Sequence, residues 1–244
     1  VVNDLEVRGL RLVFKVKSTL KPDPNNLDLR IFNLSPASRA KLSAAAAAPV
    51  VLVAGHKGTA QVIFSGRART IDHLREGASW VTHVQSGDGD QAFTKLSAIS
   101  FAAGTRATDV AIALAKDLGV EAGDAIARLR RGDFTGAREV FLQGFSASGR
   151  SVRDFDRVAK VLGLEWSIQG GVLQLLEPGK GTQEAAYELA PDTGLIGSPD
   201  HGAPGPNGEP PLLKVKCLLN GGIRPGRVVS LRSSARSGFY VVDQ

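Results

Sequence analysis

The first ninety residues alternate apolar and polar side chains in short runs set at hairpin spacing, and this constrains the fold more than any other feature. In "LEVRGLRLVFKVK", 5–17, Leu10, Leu12, Phe14 and Val16 point one way, while Arg11, Lys15 and Lys17 are polar neighbours. Period two is the signature of a half-buried strand. "PDPNN", 22–26, is a turn cluster, and "LDLRIFNL", 27–34, alternates again. "VVLVAGH", "AQVIFSGRARTIDHL" and "ASWVTHVQSG" add three or more strands. One short helix interrupts them: in "SPASRAKL", 35–42, Ser35 is placed to cap and Pro36 occupies the first helical position, with the alanine run 44–48 as its end. No long helix intervenes, so the segment reads as a small antiparallel barrel or sandwich.

The pattern changes near residue 88. "RATDVAIALAKDLGV", 106–120, carries Val110, Ala113, Leu114 and Leu118 at helical spacing, with Thr108 as N-cap and a glycine closing the helix. "GDAIARLRRGDF", 123–134, reads as a loop or irregular helix. "SVRDFDRVAKVLGLEW", 151–166, predicts an amphipathic helix, with Val152, Phe155, Val158, Ala159 and Leu162 on one face. "EWSIQGGVLQLLEP", 165–178, predicts a hairpin turning at "QGG". "GKGTQ" is a linker, and the Pro/Gly-dense 191–211 is expected to be a loop with a mobile middle. "LLKVKCLLN", "RVVSL" and "FYVVDQ" return to strands. The order is β, α/β insert, β, giving a second small barrel or completion of the first. No fixed-period repeat is present.

Composition narrows the classes. A chain of 244 residues that is 43% hydrophobic can bury a sizeable core. The formal charge of +6 is spread over 30 bases and 24 acids interleaved along the chain, which does not by itself argue for nucleic acid. The single cysteine, Cys217, excludes an internal disulfide framework and a cysteine-based zinc site, and its apolar run makes it a small core residue. There is no signal peptide and no apolar run of about 18 residues. The expectation is a chain made in the cytoplasm and soluble, without a membrane anchor, with both ends trimmed.

Motifs that suggest chemistry fail on inspection. "GDGDQA", 87–92, fits a dinucleotide fingerprint, with Asp109 placed for a ribose, but Asp88 and Asp90 would repel a pyrophosphate. The strand before it alternates, whereas a central parallel strand should be nearly all apolar. It reads instead as a tight turn into the insert. As a calcium loop it has Ala98 where the closing glutamate belongs. "GFSASG", 144–149, puts Ser148 at the second glycine of a nucleophile elbow. "EPGKGT" has Gln174 at the first P-loop glycine. His73 and His83 sit on successive predicted strands and could be neighbours, while Asp72 faces the other side from His73. A pair is not a metal site, and the reading is no catalytic residue, no metal and no cofactor.

Basic residues concentrate at the end. From Gly205 onward there are six, Lys214, Lys216, Arg224, Arg227, Arg232 and Arg236, against two acids. Lys214 and Lys216, two apart on a strand, share a face that could track phosphates. Only Phe239 and Tyr240 offer stacking. In "LLKVKCLLNGGIRPGRVVSL", 212–231, Pro225 and Gly226 make the basic loop a corner, from which Arg227 begins the next strand.

That loop, with "TGLIGSPDH" at 193–201 and the terminal "SGFYVVDQ", resembles phage baseplate and tail hub proteins. "LDLRIFNLSPASRAKL", "VVLVAGHKG", "VIFSGRARTIDHLREGASWVTHVQSGDGDQA" and "FAAGTRATDVAIALAKDLGV" resemble the same family in the same order. The resemblance covers most of the chain, and its motifs are structural. It implies an α+β fold of two small antiparallel, tube-like β-barrel domains with an inserted α/β region between them. The divisions are residues 1–90, 91–178 and 179–244. It implies a homotrimeric ring with pseudo-sixfold symmetry that joins the tail tube or distal tail protein to the central spike. The tape measure protein is a further neighbour, and DNA passes through the channel without specific binding. The subunit is assembled in the host cytoplasm and resides in the virion tail. Contacts are expected along strand edges, with Lys214, Lys216, Arg224, Arg227, Leu195 and Ile196 as interface residues. Two other classes stay open: a basic nucleic-acid-binding module and a tail-associated cell-wall hydrolase.

Overall fold

The computed structural model describes residues 1–45, 47–56, 58, 60–202 and 212–244. Two compact units emerge: Val1–Leu52 with Val62–Pro178 and Gln244, and Val53–Gln61 with Gly179–Asp243.

The first unit opens with a five-stranded sheet of β1 (Leu12–Lys17), β2 (Asn25–Phe32), β3 (Pro49–Ala54), β4 (Gln61–Glu76) and β5 (Ser79–Asp88), in the order β1-β2-β5-β4-β3. The alternation in β2 is realised directly: Leu27, Leu29 and Ile31 are buried, while Asn26, Asp28, Arg30 and Phe32 face outward. Antiparallel register sets Leu29 against Phe14 on one side and Val84 on the other. Fully burying each such side chain is worth about 1.5–3 kcal/mol. Helix α1 (Pro36–Ser43) starts as the sequence predicts: the Ser35 hydroxyl accepts from the Ser38 amide at 3.1 Å, and Leu42 drops into the core. Val1 and Asn3 exchange backbone bonds with Val51 and Pro49, covering part of the β3 edge. In β4 a bulge between Ala68 and Thr70 leaves Arg69 without a partner on β5. Phe64 and Ala68 point into the core before it, and Ile71 packs there after it.

The insert follows: α2 (Asp90–Thr94), β6 (Leu96–Phe101), β7 (Thr105–Arg106), α3 (Ala107–Asp117), α4 (Ala125–Arg131), β8 (Val140–Phe141), β9 (Phe145–Arg150), α5 (Ser151–Val161), β10 (Glu165–Gln169) and β11 (Val172–Leu176). Three antiparallel ribbons form, β6–β9, β7–β8 and β10–β11. Helices α3 and α5 bury the faces read from their periodicity, including Val110, Leu114, Phe155, Val158 and Ala159. Phe155 meets Trp166 edge-on at 5.1 Å between ring centroids. Beneath them Ser151 donates to Asp117 Oδ2 at 2.9 Å, and Ser97 donates to the same carboxylate, tying β6, α3 and α5. The β10–β11 turn uses Gly170 and Gly171, both left-handed, at φ 63° and 84°.

Three expectations are corrected. Thr108 is not the N-cap of α3: Arg106 holds that position, and Thr108 is buried in the first turn. Residues 125–131 form a regular helix, closed by left-handed Gly132. Part of the Pro/Gly-dense stretch is a strand, because Leu195–His201 pairs with Leu213–Cys217; residues 203–211 lie outside the described residues.

The second unit contains β12 (Tyr187–Leu189), β13 (Leu195–His201), β14 (Leu213–Cys217), β15 (Val228–Arg232) and β16 (Ser237–Val241). A three-stranded sheet has the order β12-β15-β16, with β12 parallel to β15, and β13 and β14 form an antiparallel ribbon. Leu189, Leu195, Val229 and Leu231 form its core. Cys217 packs against them half-buried, and burial pushes its thiol pKa up. The chain is thus largely sheet with few helices, and its first sheet is a half-barrel.

Candidate interaction surfaces

The basic corner at 220–227 is an internal bracket. The Asn220 side chain accepts from the Gly222 amide at 2.7 Å and donates to the Tyr187 hydroxyl at 2.6 Å. Arg227 donates to the carbonyls of Gly222 and Ala185, at 2.9 and 3.2 Å, and lies 3.4 Å from Glu184. Its guanidinium therefore holds two carbonyls of its own unit, a job that suits a planar fork of donors. Arg224 is exposed, with only a 3.6 Å approach to Glu184. Arg227→Ala is expected to cost the unit about 1–3 kcal/mol, because it removes two charge-assisted hydrogen bonds to main-chain carbonyls, one of them half-buried. Arg224→Ala should stay within about 0.5 kcal/mol. Urea denaturation of the two variants side by side checks this, and equal losses would contradict it.

The other expected interface residues separate in the same way. Lys214 and Lys216 are exposed on β14, and their register partners on β13 are Asp200 and Ile196. The basic stripe is thus interrupted by an acid and an aliphatic side chain. Arg232 pairs with Glu188 at 3.0 Å and with Asp192. Lys214, Lys216 and Arg236 have no ion-pair partner among the described residues. Ile196 is exposed, together with Leu212, Leu218 and Leu219. Leu195 is buried in the unit's own core.

The histidines do not converge. In the β4–β5 hairpin Asp72 is opposite His83 and His73 is opposite Thr82, so the two rings lie on opposite faces. His73 reaches Thr82 Oγ1 at 2.9 Å and, on α1, the Arg39 carbonyl and Ser43 Oγ. His83 Nε2 sits 2.9 Å from Asp28. The expected adjacency of His73 and His83 is therefore overturned by strand register. Among the described residues no three His, Cys, Asp or Glu side chains converge as a metal site.

The turn at "GDGDQA" carries structural weight that its sequence pattern did not disclose. Gly89 takes φ 75°, and Asp90 forks onto Arg69, with Arg69 Nε 2.6 Å from Oδ2. Asp88 is buried and receives the amides of Gly170 and Gly171 at 2.6 and 2.8 Å. Two successive left-handed glycines form an anion nest, and the chain fills it with its own carboxylate. A cleft of about 250 Å³ lies alongside, lined by Gly66, Arg67, Asp90, Gly119 and Glu121 among others.

Burial raises the pKa of Asp88 above 3.8, against the three amide donors of Gly170, Asn25 and Gly171, and the Asp90 charge adds to the rise. The folded state thus holds this proton more tightly than the unfolded chain. The stability Asp88 contributes is full below pH 3.8 and is lost as pH rises through its folded value. Relative to Asp88→Asn, the wild type should therefore lose stability between acid and neutral pH. Denaturation curves of both proteins across that range measure the difference, and parallel curves would refute it.

No sequence-family model matches this chain, and no curated protein sequence matches it. Solved structures do. A 43 kDa tail protein of prophage MuSo2 from Shewanella oneidensis superposes with a TM-score of 0.53 at 14% identity, over 82% of this chain and 59% of that one. A tail protein from Neisseria meningitidis gives 0.51 at 14% identity, over 82% and 57%. An Escherichia coli component of the type VI secretion system, described as structurally similar to the T4 bacteriophage tail proteins gp27 and gp5, gives 0.53 at 11% identity, over 97% and 68%. The chain spans less than two thirds of the first two. At such identities the likeness is one of fold: the chain shares the fold of these phage tail and secretion-system proteins.

Proposed function

We propose that this chain is a structural subunit of a phage or phage-like tail, a baseplate hub without enzymatic activity. The observation that carries the reading is the likeness over 97% of the chain to a secretion component described as resembling tail proteins. In this reading the divisions 1–90, 91–178 and 179–244 are two tube-like β-domains flanking an α/β insert. Three copies form a ring that adapts the sixfold tube, or a distal tail protein, to a threefold spike. The tape measure protein is a neighbour and DNA traverses the channel. Lys214, Lys216, Arg224 and Ile196, which are exposed, would face other chains in this reading. Leu195 and Arg227, which pack within their own unit, would shape that surface from beneath. The subunit would act in the virion tail after assembly in the host cytoplasm.

Mass determination by sedimentation and imaging of the purified protein test the ring. Three copies around an open channel are expected. A species that stays monomeric at high concentration, or a closed dimer, overturns it. Steeply salt-dependent DNA affinity would favour a nucleic-acid module instead. Release of fragments from purified cell wall would favour a hydrolase.

A further inference from the structure

The half-barrel sheet and the insert do not share a core. One cluster of buried apolar side chains runs through residues 2–84, including Leu29, Leu42 and Val84. The other lies wholly within 92–175, including Leu114, Phe155 and Trp166. What ties the two is polar. Gly170 and Gly171 donate to Asp88; Asn25 donates to the Ile168 carbonyl at 2.9 Å and to Gln169 Oε1 at 3.0 Å; Gln169 donates to the Thr19 carbonyl at 2.8 Å. Asp90 holds Arg69 immediately beside the point where the chain crosses.

We infer that Thr19, Asn25 and Asp88 form a latch for the tip of the β10–β11 hairpin, and that opening it frees the insert to pivot on the sheet about Gly89. Interfaces that are polar and lack a common apolar core leave relative motion as the default unless specific bonds oppose it. Here those bonds gather on one hairpin tip, within reach of the covalent crossing. Gly89 is left-handed and packs against Ile168, where a Cβ would stand 2.8 Å from that side chain, so only glycine lets the chain turn this closely at the crossing. The cleft beside it gives the insert space to turn into.

Amide exchange and a distance measurement test it. In Asn25→Ala/Asp88→Ala the amides of Gly170 and Gly171 should exchange about 10–100-fold faster, while those of Leu29 and Val84 do not change. Spin labels on cysteines replacing Ala78 and Ser148, in a Cys217→Ser background, should give one narrow distance in the otherwise wild-type chain and a broad distribution in the double variant. An equally narrow distribution in both would overturn the latch. Should the double variant fail to fold, Gln169→Ala removes the bond to Thr19 without touching a buried carboxylate. It must still accelerate exchange at Gly170 and Gly171, and unchanged exchange there overturns the proposal.

Discussion

Phe155→Ala should unfold the insert at a cost of about 3–5 kcal/mol while leaving the half-barrel sheet folded. Phe155 is only 1% exposed, packs edge-on against Trp166, and sits on the helix face shared with Val158 and Ala159. Truncation removes most of a ring's buried area and leaves a cavity. The neighbours cannot readily collapse into it, because α5 is fixed through Ser151 to Asp117 of α3. The chain carries its own reporters, having two tryptophans, with Trp166 in the insert and Trp80 on β5. In a Trp80→Phe background, Trp166 emission should show the loss at lower urea. In a Trp166→Phe background, Trp80 emission should hold its midpoint within the error of the measurement. A common shift in both would mean that the two cores unfold as one.

Gly66→Ala should do the converse. A methyl group at Gly66 would press on the Gly87 carbonyl oxygen, stand 2.9 Å from the Gly87 carbonyl carbon, and lie 2.8 Å from the Phe64 ring. Gly87 cannot retreat, because it is paired to Asn26 on one side and Arg67 on the other. The strand would have to part, at about 1–3 kcal/mol or more, and the Trp80 transition should move while the Trp166 transition does not. Gly77→Ala is the matched control. It has open space around the new Cβ and carries only the strain of φ +57°, worth about 1 kcal/mol. If Gly66→Ala costs no more than Gly77→Ala, the close approach of β4 to β5 is not a packing constraint.

The parts of this fold that were legible in the sequence are those where one local period decides. β2 reads from Leu27, Leu29 and Ile31 alone, α5 from its apolar face, and the β10–β11 turn from its glycine pair. The parts that were not legible depend on distant partners. β6 and β9 are rich in Ser, Ala and Gly, have little intrinsic strand preference, and pair across more than forty intervening residues. Leu195–His201 hides among prolines and glycines and becomes a strand because Leu213–Cys217 lies beside it. Asp88 looked like half of a failed phosphate motif. Its role appears only when the hairpin tip, some eighty residues later, returns to it. His73 and His83 show the reverse error: sequence proximity suggested a pair, and strand register put them on opposite faces. The hold of Arg227 on the Ala185 carbonyl was equally illegible, because that carbonyl lies some forty residues earlier in the chain.

The unmatched residue in β4 has a consequence for heredity. Arg69 shifts the phase of every position beyond it, so that Ile71 and His73, rather than Thr70 and Asp72, continue the inward row begun by Phe64 and Ala68. A descendant that lost this one codon would straighten the strand yet keep Thr70 opposite Gln85 and Ile71 opposite Val84, so the inward row would survive the deletion. Distant cousins should therefore differ by one residue at this point while keeping the same alternation downstream.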